Sequence, residues 1–187
     1  MDPDEDITLL EDPVWTEKYE REERRLRAAA GEGLLGVHHV GSTAIADIPG
    51  KPALDVLVAF DSFDAMDAAA ERIEAEHEEF ERFSETDASI LVINWADDHA
   101  VFHRMHTMED EDKIRNQILF RDYLRDHADA RRKYEEVKRE AVENHADDPG
   151  DYTTAKTDVV VDLIRRAEAA GYEERLPEYL QTPEPSR

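Results

Sequence analysis

Gly41-Ser42-Thr43 and Asp55 are the residues whose types and spacing point most directly to chemistry. Glycine lets the backbone approach a ligand closely. The amides and hydroxyls that follow it can receive phosphate oxygens, the more so where a helix starts. After the twelve residues from Thr43 to Leu54, Asp55 sits in ALDVLVAF, a run otherwise apolar. A charge inside a buried strand is costly unless it is paired or metal-bound. Asp55 could therefore hold a divalent cation, Mg²⁺ or Mn²⁺, against the phosphates that Ser42 and Thr43 receive. Alternatively, Gly-Ser-Thr is a plain turn and Asp55 accepts hydrogen bonds from neighbouring amides. Spacing alone leaves both readings open.

The elements that must position these residues can be read from hydrophobic periodicity. A helix is expected from about Pro13 to Ala30, stopped by Gly31 and Gly33, and a strand over Leu34–Val40 delivers the chain to Gly41. Ala53–Phe60 reads as a central strand buried on both faces. A helix over 64–79 follows, then strands near Ser89–Trp95 and Ala100–Met108 joined by a hairpin loop. Helices over Lys113–His127 and Asp129–His145 come next. Asp147-Asp148-Pro149-Gly150 breaks the chain, and Asp151 can cap a last helix reaching Ala170. No repeat or linker stands out, so an acidic leader (1–12), one α/β domain (13–176) and a Pro-rich tail (177–187) are expected.

Composition narrows the function classes. The 187 residues hold 47 Asp and Glu against 23 Lys and Arg, a formal net charge of −24. Self-repulsion of that size strains a compact fold at low salt and is largely screened in molar salt, so a salt-adapted, halophilic protein is expected. Such a surface repels DNA and anionic membranes, which argues against nucleic acid as a partner. The absence of cysteine excludes disulfides, thiolate metal sites and Cys nucleophiles. No signal-peptide pattern or membrane-length apolar run is present, so the cytoplasm is the expected compartment.

The stretch HHVGSTAIADIPGKPALDVLV resembles the GrpB-like family, which belongs to the nucleotidyltransferase superfamily of polymerase-β-like folds. FHRMH, ILFRDYLRDHADARRKYEEVKREA and DYTTAKTDVVVDLI are similar to later blocks of that family, in the same order. The resemblance covers roughly Pro13 to Ala170. It implies a mixed β-sheet flanked by helices, a helical C-terminal part, and a pocket opened by the Gly-Ser turn that takes a nucleotide or similar phosphate-containing small molecule. Fusion of such domains to the coenzyme A pathway kinase in some members hints at adenine-containing ligands.

Two departures from pattern matter. Active nucleotidyltransferases carry an Asp-x-Asp pair on one strand, since two or three carboxylates hold the cations that clamp an in-line phosphoryl displacement. Here Val56 and Leu57 follow Asp55, as in GrpB-like sequences generally, which leaves either weak transfer or a catalytically degenerate ligand- or protein-binding relative. Ile45-Ala46-Asp47-Ile48 replaces the family's Val-Pro-Gly-Leu, which could bring a loop carboxylate near the pocket or leave it in solvent. Histidines are the candidates to replace the missing acids. His39 precedes the turn, and His106 matches the family's His, with His103 a weaker match. Period-2 alternation places His103 and His106 on opposite faces of a regular strand. Asp55 with His106 could form an acid/base pair, and His39, Asp55 and His106 are the expected metal ligands. Lys51, Arg121 and Lys156 are the candidate anion ligands beside Gly41, Ser42 and Thr43; for Arg121 a salt bridge is an equal alternative. Tyr152 could stack on a base or pack the last helix.

Overall fold

The structure is a computed structural model, described for residues 15–96, 98–145 and 149–181. The expected leader lies outside the described residues. Five strands, β1 (Leu34–Val40), β2 (Ala53–Phe60), β3 (Glu81–Thr86), β4 (Ser89–Trp95) and β5 (Ala100–Thr107), form one mixed sheet in the order β1-β2-β5-β4-β3. Only the central β2–β5 pair is parallel. Its connection contains helix α2 (Phe63–Glu76) and the β3–β4 hairpin, as a parallel pair requires a long crossover.

β2 explains the layering. Leu54, Val56, Val58 and Phe60 point to the first face, where α1 (Trp15–Ala29) and α2 bury them beneath Leu26, Met66, Ala70 and Ile73. Leu57 and Ala59 point to the second face, beneath Ile114 and Ile118 of α3 (Glu111–Asp126) and Ala167 of α6 (Thr157–Ala169). Both faces are covered, which is why this strand reads as a continuous apolar run. Asp55 falls on the second face by alternation, at the end where β1 runs into the Gly-Ser turn.

Three differences from the expected elements bear on the site. The last helix is two: α5 (Pro149–Thr154) and α6. Thr154 Oγ1 donates to the Gly150 carbonyl at 3.0 Å, side-chain bonding that competes with helix continuation. Asp151 lies inside α5 and Lys156 stands at the N-cap of α6. β3, polar and mostly exposed at the sheet edge, had no hydrophobic alternation to announce it. The expected tail is packed chain as far as Gln181. Leu180 is buried against α3 and α6, and the Tyr179 hydroxyl meets His38 Nε2 at 2.6 Å. Among the described residues no helix is long and apolar enough to cross a membrane.

Candidate phosphate-binding site

The turn after β1 is built around Gly41. Its φ of 72° favours glycine, and a Cβ there would stand 2.6 Å from Asp55 Oδ2. Ser42–Ala44 then form one 3₁₀ turn, closed by the amides of Ala44 and Ile45 on the carbonyls of Gly41 and Ser42. Those two amides are thus spent inside the turn.

Gly41, Ser42, Thr43, Lys51, Ala53, Asp55, Tyr134, Tyr152 and Lys156 enclose a cavity of about 110 Å³. That is well below the roughly 300–1,000 Å³ of sites enclosing a whole small molecule, so the cavity has room for one small group rather than an entire ligand. Lys138, on α4 (Ala128–His145), completes the wall from behind: its Nζ donates to Ser42 Oγ at 2.9 Å and to the Pro49 carbonyl. Tyr134 lines the same cavity as Ser42. Lys138 is 1% exposed. Burial pushes its ammonium down to about 7, helped by the positive charges of Lys156 and Lys51. Lys156 lies over the Tyr152 ring, 3.7 Å from its centre, and is pushed down to about 8 by burial and by Lys51. Lys51 is lowered by burial, against the pull of Asp55. Among the described residues no carboxylate forms an ion pair with any of these three lysines. Asp55 is instead paired with Arg104 of β5, whose Nε donates to Oδ1 at 2.8 Å.

Lys138 was absent from the expected site, although its position carried a signal. Tyr134, Lys138 and Ala141 follow the i, i+4, i+7 spacing of a buried helix stripe, and all three are buried. A lysine on such a stripe needs a reason to be there.

The other expected residues separate. His39 pairs with Val56 in the ladder and so points to the first face, away from Asp55. It stacks on Tyr19, with 4.9 Å between ring centres, and its Nε2 bonds Thr43 Oγ1 at 3.0 Å. Burial, with the charge of Arg125, pushes it down to about 4, so it is a neutral support for Thr43. His106 does share the face of Asp55, but Asp55 stands beside Phe102 while His106 stands beside Ala59. Four residues at about 3.3 Å each put the two about 13 Å apart along the strands. The expected convergence of Asp55 and His106 in one cavity, as a catalytic pair or as metal ligands, therefore fails. His106 Nδ1 meets Asp110 Oδ2 at 2.9 Å and lines a separate cavity of about 400 Å³ with Arg104, Asn116, Gln117 and Phe120. Arg121 does not line the cavity at the Gly-Ser turn either: it pairs with Asp122 at 2.7 Å and donates to the His39 carbonyl at 3.2 Å. Asp47, at φ 62°, lines a third cavity with Tyr19, Glu20, Glu23 and Arg125.

The three residues expected to hold Mg²⁺ or Mn²⁺ do not assemble into one site. His39, Asp55 and His106 diverge, and among the described residues no group of three or more His, Asp or Glu side chains could hold a metal ion. The neighbours of Asp55 on its own face are Ala53 and Leu57 of β2, Val40 of β1, and Phe102 and Arg104 of β5, none of them a carboxylate.

Comparison with known proteins agrees with this architecture. A family model described as "GrpB protein" matches residues 7–166. A UPF0157 protein of Pseudomonas aeruginosa is 30% identical over 171 residues, covering 90% of this chain and 70% of that one. The crystal structure of the conserved protein GrpB from Enterococcus faecalis superposes with a TM-score of 0.76 at 22% identity, over 89% of this chain and 99% of that chain. A cytoplasmic RNA terminal U-transferase superposes with a TM-score of 0.51 at 17% identity, over 70% of this chain and 40% of that one. The fold is thus nucleotidyltransferase-like.

Proposed function

The chain belongs to the GrpB family, and we propose that it binds a nucleotide, or a similar phosphate-containing small molecule, with the phosphate held between Ser42, Lys51, Lys138 and Lys156. The observation that carries this reading is a contrast of charge. In a chain of net charge −24, Lys51 and Lys156 line one small cavity with Ser42, and buried Lys138 donates to that serine, with no carboxylate ion-paired to any of the three among the described residues. Crowding ammonium groups in a low-dielectric pocket is unfavourable on its own, and an anion offsets that cost. The nucleotidyltransferase-like fold supports a nucleotide as the carrier of the phosphate. Binding is favoured over rapid transfer, because Leu57 stands where a second strand carboxylate would be needed.

The test is calorimetric titration of the wild type with ATP, coenzyme A and inorganic triphosphate in about 1 M KCl, where the Debye length is about 3 Å. Binding of at least one probe is expected, weakened about tenfold or more by Lys156→Ala and by Ser42→Ala, each of which removes one partner of the anion. Absence of binding for all three, in a folded wild type, overturns the reading.

A further inference from the structure

We propose that the guanidinium of Arg104 takes the place of a divalent cation at Asp55, so that this site receives its phosphate ligand without metal. The inference rests on the phosphate-binding reading above and specifies how that site balances charge. Asp55 accepts from Arg104 Nε at 2.8 Å, and the pair spans the central parallel strands, with Arg104 one alternation beyond Phe102, the residue beside Asp55. On the other side of the carboxylate, Oδ2 lies against Gly41, whose missing Cβ would meet it at 2.6 Å. The carboxylate is thus held between a guanidinium and the glycine of the turn.

The cation count of the pocket leads to the same place. Lys51, Lys156 and Arg104 lie around Asp55, and Lys138 stands behind Ser42, where Glu135 also acts on it. Lys51 feels both Asp55 and Arg104, and Lys156 feels both Lys51 and Asp55, so these groups form one electrostatic cluster. Lys51, Lys156 and Arg104 against Asp55 leave an excess of positive charge, to which Lys138 adds when protonated, and that excess suits a phosphate. A divalent ion added here would raise that surplus and would have to displace Arg104 to reach Oδ1. Arg104 also lies over the Phe102 ring, 5.4 Å from its centre, while Lys51 approaches the same ring at 5.6 Å, so one aromatic side chain supports both cations. Arg104 in turn lines the 400 Å³ cavity of His106, which places the ion pair on the boundary between the two cavities.

The experiment compares metal responses rather than single affinities, because Mg²⁺ binds ATP in solution. ATP and inorganic triphosphate are titrated into wild type, Asp55→Asn and Arg104→Met, each in EDTA and in excess Mg²⁺ or Mn²⁺. The wild type is expected to bind in EDTA, and its ratio of affinities with and without metal should equal that of Asp55→Asn. Arg104→Met is expected to lose about tenfold in EDTA, the worth of one charged partner, and to recover part of this with Mn²⁺ through the freed Asp55. A second substitution, Asp55→Asn, should abolish that recovery. If Arg104→Met fails to fold, Arg104→Lys keeps the charge and should bind without metal. A wild type that loses ATP in EDTA, with a metal response absent from Asp55→Asn, overturns the proposal. Should the wild type bind neither probe under any condition, the phosphate reading has failed. The cation question is then decided by electron paramagnetic resonance titration of the ligand-free protein with Mn²⁺. Equal binding by wild type and Asp55→Asn upholds Arg104 as the cation of Asp55, and a Mn²⁺ ion lost in Asp55→Asn overturns it.

Discussion

Among the described residues, Glu22 and Lys138 are charged side chains almost wholly removed from solvent, and they differ in what surrounds them. Glu22 of α1, 1% exposed, lies on the first face of the sheet against His103 of β5, which is fully buried. His103 Nε2 meets Glu22 Oε2 at 3.2 Å, and Arg25 reaches the same oxygen at 2.8 Å. Phe80 stacks on the imidazole with 4.7 Å between centres. Charge and partner are matched there, and the result is a pin between helix and sheet. Lys138, equally buried at the Gly-Ser turn, has a hydroxyl and a carbonyl for partners and two further lysines nearby. A buried charge with its counter-charge supplied is architecture. On the proposed reading, the lysine cluster awaits an anion that offsets its charge.

The largest effect expected from this contrast is on stability at the pin. Glu22→Ala leaves His103 without its acceptor and Arg25 without its nearest carboxylate, and should cost about 3 kcal/mol, the usual loss on breaking a buried pair. Denaturant unfolding measures it, and phosphate binding per folded molecule should be unchanged. Burial holds His103 below its ordinary value. Between that lowered value and 6.5 the unfolded chain binds a proton that the native chain lacks, so the pin's contribution should fall as pH drops below about 6.5. A fold indifferent to Glu22→Ala would dissolve the distinction between the two regions.

Lys138→Met should do the reverse. Replacing a buried charge by an apolar side chain of similar length is often neutral or stabilising, so stability should change by no more than about 1 kcal/mol. Affinity for triphosphate should fall about tenfold or more, as one charged partner is lost. Equal affinity in calorimetry would make Lys138 a structural lysine.

The pH dependences of the pocket sharpen the same point, because stability and binding should move in opposite directions. Lys138 and Lys156 lie at about 7 and about 8 in the ligand-free protein, against 10.5 ordinarily. Above those values the unfolded chain still holds protons that the folded chain has released. Ligand-free stability should therefore gain from these two groups between about pH 7 and pH 10.5. An anion needs the protonated lysines, so affinity should decline over the same rise. Parallel melting and binding series from pH 6.5 to 9, within that window, check both signs.

The comparison also shows what the sequence could and could not reveal. β1, β2 and β4 fall on the expected bounds, since apolar runs between turn residues fix their extent, and α3 and α4 lie within two residues of theirs. Gly41, Ser42, Thr43, Lys51, Asp55 and Lys156 do share a wall, because a turn and the strand paired to it are close by construction. His39 and His106 failed for a reason of register. The face of His39 depends on its being one residue before Val40, the residue beside Asp55, and the place of His106 depends on a parallel pairing that adjacency in sequence cannot supply. Glu22 looked like one more acid on an acidic helix, and only the crossover that brings β5 beneath α1 gives it a partner.

The smallest effect concerns salt, where the two regions should again part. The surface charge of −24 repels itself at low ionic strength, and screening it should raise the melting temperature progressively between about 0.1 and 3 M KCl as the Debye length falls from about 10 Å to below 3 Å. The Glu22–His103 pin is shielded from ions by burial, so Glu22→Ala should lose the same stability at both ends of the series. At the lysine pocket two opposed terms change together. Salt weakens the attraction of the lysines for phosphate, and it equally weakens the repulsion of phosphate by the acidic surface. Triphosphate affinity should consequently vary less over the series than one cationic pocket alone would allow, where neutralising several phosphate charges brings a steep loss with salt. A melting temperature that is flat or falling with KCl would remove the salt-adaptation reading. A steep fall in affinity beside a rising melting temperature would mean that the surface field does not reach the pocket, and that the lysines act on the ligand alone.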